Sequence, residues 1–336
     1  MLSSRYSRAL VALALVGGLG LGVVAPIGSA TGAVAAGGAT RAAKTFTVAY
    51  VQWAAAAGQT LMAKGVKLEA AKYGYTAKVA NALGSAANAN SLMQSFVTQH
   101  VNAIIVDSYS AANLATGIHA AQGAQIPVYI MYSPDPHAEP GVAVSLRTNA
   151  GELSAKAIIQ NQGKKGSVLE LTLPSGANCV LSAQAFAAVF RNYPGWKVQT
   201  QAVPSPGWVQ VAASATKAWL LSHPKGTQLA IWGCWDDPAV GAASALAAAN
   251  PPRWDVKLYG QDTSAASAAL LEANHYGVSY FFNTIGVAQH MVDIVHGQAG
   301  VPYKKIKPVL ESQTPIKVTP QNIRALIKKY PSILQG

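Results

Sequence analysis

Polar and aromatic residues stand directly after short apolar or β-branched runs at Gln52-Trp53, Asp107-Ser108-Tyr109, Tyr132-Ser133, Pro174-Ser175-Gly176, Cys234-Trp235-Asp236-Asp237 and Gln261-Asp262. Together they offer indole and phenol rings with carboxylates. That chemistry grips a small polar ligand, because C–H faces lie on rings while hydroxyls donate to carboxylates. It is not the chemistry of turnover. The chain has no Gly-x-Ser-x-Gly elbow, no His-Glu-x-x-His and no triad, so no residue is assigned a catalytic role. The 7 histidines show no His-x-x-x-His spacing and the 2 cysteines, Cys179 and Cys234, form no Cys-x-x-Cys, so neither a metal site nor a cofactor is expected.

The elements that must position these residues follow a repeating rhythm. Runs at 46–51, 77–82, 103–108 and 128–132 alternate with amphipathic stretches at 59–73, 87–100 and 111–122, the pattern of a parallel sheet covered on both faces. Gly74 and Gly123 mark helix ends, and Ile126-Pro127 stops any continuation. Leu61, Gly65, Leu68 and Ala71 recur at threes and fours and are expected to face the sheet, with Lys64, Lys67 and Lys72 in water. After Gly166 the rhythm starts again, with strands at 168–173, 197–203, 229–232 and 256–259 and helices at 182–190, 209–221 and 239–249. A strand at 142–146 and a helix at 152–161 lie between the two halves. The tail reads as a helix at 285–295, a strand-like segment at 306–309 and a helix at 321–329. Ligands in such sheets sit beyond the carboxyl ends of the strands, so two facing sheets would line one cleft.

Arg5 and Arg8 precede an apolar run, 9–25, that ends at Pro26 and is followed by Gly28-Ser29-Ala30. This reads as an export signal, residues 1–30, followed by a tether at 31–44, and the glycine-broken run is short for a membrane span. The expected mature protein works outside the cytoplasm, in the periplasm or cell envelope. Removing 30 of 336 residues leaves enough chain for two domains. The formal charge of +12 falls to +10 without Arg5 and Arg8, and the basic residues are scattered singly or in pairs such as Lys164-Lys165. No aromatic-interleaved basic run is present, so nucleic acid is not an expected partner.

Several segments resemble a family. The stretch from Ala103 through Asp107-Ser108-Tyr109 to Gln125-Ile126-Pro127-Val128 is similar to the strand, helix and "IPV" strand of ribose-binding proteins. Lys64-Gly65, Glu69-Ala70 and Tyr73-Gly74-Tyr75 resemble the first-helix "G…EA…GY" pattern; Cys234 to Ala242 resembles "NDxxAxGA"; Tyr259-Gly260-Gln261-Asp262 resembles "VGFD". The likeness runs from about Phe46 to Lys317, to the type I periplasmic binding proteins of ABC importers.

The resemblance implies an α/β fold of two Rossmann-like, doubly wound lobes joined by three crossover segments. It places one lobe at 45–147 plus 285–310 and the other at 148–284 plus 311–336. It implies a monomer that captures a small ligand, a sugar or polyol, and delivers it to an ABC permease. Trp53, Asp107, Tyr132, Trp208, Trp235, Asp262 and Tyr280 fall at the ligand-contact positions of the pattern, with Arg147 and Asp236 as further candidates. The family's sugar-clamping arginines are replaced, one by the Tyr132-Ser133 stretch and one by Val180. An amine or quaternary ammonium ligand, held by cation–π contact, is therefore an alternative, as is a role reporting ligand to a membrane sensor. One of Asp236 and Asp237, preceding Pro238, is expected to cap a helix. In a doubly wound second lobe the strands before Cys179 and Cys234 are neighbours, which brings these residues within reach of a disulfide; two buried free thiols are the alternative.

Overall fold

The computed structural model describes residues 45–133, 142–147 and 150–335. The expected leader and tether lie outside the described residues. Two sheets make up the framework. The first begins with β1 (Thr47–Gln52), α1 (Ala57–Lys72), β2 (Thr76–Asn81), α2 (Ala86–Thr98), β3 (Ala103–Asp107), α3 (Ala115–Gly123), β4 (Val128–Met131) and β5 (Val142–Arg147). After α4 (Ala150–Gln162), the second is built from β6 (Gly166–Thr172), α5 (Ala177–Phe190), β7 (Trp196–Ala202), α6 (Trp208–Leu221), β8 (Leu229–Gly233), α7 (Asp236–Ala248), β9 (Lys257–Tyr259), α8 (Ala265–Glu272) and β10 (Tyr276–Phe281). The chain continues through α9 (Thr284–Gly297), β11 (Leu310–Gln313), β12 (Ile316–Val318) and α10 (Ile323–Lys329).

Strand order is β11-β5-β4-β3-β1-β2 in one sheet and β12-β10-β9-β8-β6-β7 in the other. Every pairing is parallel except β12 against β10. The sheets therefore share one winding, with a reversal between β1 and β3 and its counterpart between β6 and β8. The chain crosses from the first sheet to the second after β5, returns through α9, and crosses again between β11 and β12. This is the two-lobed α/β architecture with three crossovers that the sequence led us to expect.

Local composition explains the elements. β3, Ala-Ile-Ile-Val-Asp, is buried along its whole length because helices cover both faces, so its apolar run does not alternate. Ser85, Ser264 and Asn283 cap α2, α8 and α9 by accepting the backbone N–H three residues on. The buried stripe of α1 differs from the expected one. Met62, Val66, Glu69 and Ala70 are buried, whereas Leu68 is half exposed. The reason is that α1 is covered by α9 as well as by the sheet. A Cβ on Gly65 would lie 2.5 Å from the Ile285 carbonyl oxygen, so only glycine permits this approach. Glu69 is buried there and accepts from Gln289 of α9 at 3.2 Å.

The tail strand lies at Leu310–Gln313, four residues later than the expected 306–309. Three elements, α8, β10 and β12, have no counterpart in the sequence reading. No helix among the described residues is long and apolar enough to cross a membrane.

Cys179 at the start of α5 and Cys234 just after β8 form a disulfide with Cα atoms 5.3 Å apart and 55 residues between them in sequence. Closing a loop of that length restricts the unfolded chain and stabilises the fold by about 4 kcal/mol on the chain-entropy account. Urea unfolding of a Cys179→Ala/Cys234→Ala variant is expected to show a loss of that order. Thiol titration of the denatured, unreduced protein should find no free thiol; unchanged stability with two titratable thiols would contradict the bond.

Candidate functional site

Both winding reversals open into one cavity, partly open to solvent. Trp53 and Ser108 line it from the ends of β1 and β3, and Leu173 and Cys234 from the ends of β6 and β8. Tyr132, Trp235, Asp237 and Asp262 complete its aromatic and acidic wall, with Asn178 at the start of α5. The lobes touch at its rim. The Ala177 N–H donates to the Ser108 carbonyl at 3.3 Å.

Backbone geometry turns several of these residues inward. Ser108, Tyr132, Asp262 and Thr263 all have positive φ, at 60°, 56°, 96° and 58°, and all line the cavity. Left-handed backbone is costly for side chains other than glycine, and its concentration at these strand ends is the kind of strain that functional sites hold.

A buried carboxylate organises the loops of each lobe. In the first, Asp107 accepts the Trp53 N–H at 2.8 Å and the Tyr50 hydroxyl. It is fully buried beneath the cavity rather than lining it, and it fixes the backbone that presents the Trp53 ring. Burial, reinforced by the Asp107 charge, holds the Tyr50 hydroxyl proton far more firmly than usual. In the second lobe, Asp236 is buried. It accepts from Thr263 N at 2.9 Å, Tyr276 Oη at 2.7 Å, Ser267 Oγ at 2.5 Å and Ser279 Oγ at 3.0 Å. One carboxylate thereby joins α7 to the β9–α8 turn, α8 and β10.

The expected helix cap is corrected by this arrangement. Trp235 occupies the N-cap position of α7 without a side-chain bond, and both aspartates lie within the first turn, where carboxylates favour the helix dipole. Asp236 is spent on its own lobe, and burial pushes its carboxyl up to about 7. Asp237 was not among the candidate ligand residues, yet it lines the cavity. Burial raises its carboxyl too, while the indoles of Trp235 and Trp208 hydrogen-bond to it and oppose the rise. Its place beside Trp235 in Cys234-Trp235-Asp236-Asp237 was the available signal.

The remaining candidates divide. Trp208 stands behind Trp235, edge to face with ring centroids 5.9 Å apart, and is not in the cavity wall. The Tyr280 hydroxyl donates to the Leu153 carbonyl at 3.0 Å, tying β10 to α4. Burial raises that hydroxyl to about 12. The Arg147 backbone ends β5, and its side chain lies outside the described residues. Trp53 is 4% exposed, and its Nε1 donor has no hydrogen-bond partner among the described residues. A buried, unpaired donor in a cavity wall is a place for an acceptor from a ligand or an ordered water.

Two outcomes are expected. The folded Asp236 value of about 7 lies above the ordinary 3.8, so the folded protein binds this proton more tightly than the unfolded chain does. The group's contribution to stability is then greatest below about pH 4 and falls as pH rises toward 7. Urea midpoints between about pH 4.5 and 8 should fall more steeply for the native protein than for Asp236→Asn, and parallel slopes would contradict this. At the rim, Gly84 has φ +73°, and a Cβ there would meet Ser205 Oγ at 2.9 Å across the cleft. Gly84→Val should prop the lobes apart and weaken ligand binding by roughly tenfold or more, about 1.4 kcal/mol. Unchanged affinity would show that the rim does not close there.

Among solved structures, an ABC sugar transporter subunit from Rhodobacter sphaeroides 2.4.1 is similar, with TM-score 0.73 and 23% identity, covering 82% of this chain and 99% of its own. An ABC transporter solute-binding protein from Agrobacterium vitis with bound allitol has TM-score 0.75 and 20% identity, covering 85% and 99%. One from Bacillus halodurans C-125 with bound myo-inositol has TM-score 0.74 and 18% identity, covering 85% and 98%. At these identities the likeness is one of fold. No curated protein matches the sequence. A family model of the periplasmic binding protein domain matches residues 46–300, most of the chain, and carries the assignment that fold and cleft geometry point to. The chain belongs to the periplasmic binding protein family.

Proposed function

We propose that this protein is an extracytoplasmic receptor that captures a sugar or polyol between its lobes and presents it to an ABC permease, without altering it. The observation that carries the reading is the single cavity into which both winding reversals open, walled by Trp53, Tyr132, Trp235, Asp237 and Asp262. Ring faces suit the C–H surface of a sugar, and carboxylates suit its hydroxyl donors. The unpartnered Trp53 Nε1 offers the complementary donor to a ring or hydroxyl oxygen. The allitol and myo-inositol seen in similar structures have the same chemistry. Arg147 remains a proposed further donor. Ligand binding would shift a hinge equilibrium toward the closed form, which is the state that a permease reads.

In this reading residues 1–30 direct export, and the mature chain acts as a monomer with no nucleic-acid partner. We assign one lobe to 45–147 plus 285–310 and the other to 148–284 plus 311–336, with β11 in the first sheet supporting a last boundary a few residues later. An amine ligand is the second reading, favoured by the ring and carboxylate wall.

Asp262→Asn keeps a side chain that tolerates left-handed backbone and removes only the charge. It should weaken sugar binding by roughly tenfold to a hundredfold, as expected for a hydrogen bond to a charged group. The melting temperature of the empty protein should stay within a few degrees; a large fall without ligand would show Asp262 to be structural. Calorimetric titration with sugars, polyols and amines separates the two ligand classes. Binding confined to amines would overturn the sugar reading, and so would turnover of a bound sugar by the pure protein.

A further inference from the structure

The strand ends account for only part of the cavity. A second part of its wall comes from Leu61 and Met62 on the second turn of α1, Ile285 at the start of α9, Phe281 at the end of β10, and Ile333 in the last turn of the chain. All five are apolar. Their convergence follows from the packing already described. Gly65, one turn beyond Leu61, touches the Ile285 backbone, which brings the starts of α1 and α9 together. From the other lobe, Tyr330 packs on Phe281 with ring centroids 4.9 Å apart, and Ile333 is buried in that lobe's core. The same terminal turn then reaches α1, where Lys64 Nζ donates to Gln335 Oε1 at 2.7 Å. The chain end thus spans both lobes and closes one side of the cavity with hydrocarbon.

A free sugar or polyol carries hydroxyls around its whole perimeter; on this side Gln59, Thr284 and Ser332 also line the cavity, but the side chains set between them are hydrocarbon. Leu61 and Ile285 are partly exposed and line the cavity, so some hydrocarbon is left for a ligand to meet. Resting on the sugar-binding reading above, we infer that the ligand is a substituted sugar: a glycoside, or an alkylated or deoxygenated sugar, whose apolar substituent lies against Leu61, Phe281, Ile285 and Ile333. The sugar ring occupies the Trp53, Trp235 and Asp262 side. Each methylene of the substituent that becomes buried tightens binding by about fourfold.

The test is calorimetric titration of the native protein with a panel of free pentoses, hexoses and polyols, each paired with its methyl, butyl and phenyl glycoside or ether. The butyl or phenyl member should bind at least about tenfold tighter than its free parent, with a more negative heat-capacity change. Leu61→Asn, or Ile285→Ala where the first folds poorly, should bring that ratio down toward one. Free sugars that bind as tightly as their substituted partners, or more tightly, would overturn the apolar-substituent assignment and leave the receptor reading in place. Silence from both free and substituted sugars would overturn the sugar reading itself, and this inference with it.

Discussion

Each lobe buries one carboxylate beneath the cleft, and the shape of the cleft depends on what those two groups hold. A charge taken out of water is tolerated only if donors replace the lost solvent. Asp107 meets that need with the Tyr50 hydroxyl and the Trp53 backbone; Asp236 meets it with Thr263 N, Ser267, Tyr276 and Ser279. In satisfying the carboxylates, the chain fixes the loops that leave the strand ends. The aromatic rings and the outer carboxylates are then presented by backbone that does not have to be ordered when ligand arrives, which lowers the entropic cost of binding.

The same arrangement explains why polar residues at strand ends take different roles. Asp236 and Asp237 are adjacent in sequence, lie in the first turn of α7 and both line the cavity, yet the Asp236 carboxylate is taken up by donors of its own lobe. The disulfide adds a covalent tie at this point, joining the start of α5 to the end of β8 next to Trp235. Rigid lobes with a prebuilt wall suit a receptor that works by hinge motion, because the motion can be confined to the crossovers.

Much of the architecture was legible because a parallel sheet covered on both faces requires continuous apolar strands, and β1, β3, β4 and β8 have them. The missed elements lacked that signature. β10 is interrupted by Gly277 and Ser279, and α8 is rich in alanine with no clear stripe. The α1 register was misread because Gly65 looks like one weak member of a sheet-facing stripe, when it marks the contact with a second helix. In the site, Trp53, Tyr132, Trp235, Asp236 and Asp262 sit in the cavity wall. Asp107, Trp208 and Tyr280 sit one layer back, since strand-end position alone does not say which way a side chain turns. The apolar part of the wall was out of reach of sequence, because it is assembled from α1, α9 and the last turn of the chain.

The central claim is a pair of rigid lobes that close on a ligand and release it unchanged. Small-angle scattering of the protein with and without a tight-binding sugar tests it most directly. The account predicts a smaller radius of gyration and a narrower envelope on saturation; superimposable profiles across a confirmed binding transition would contradict it.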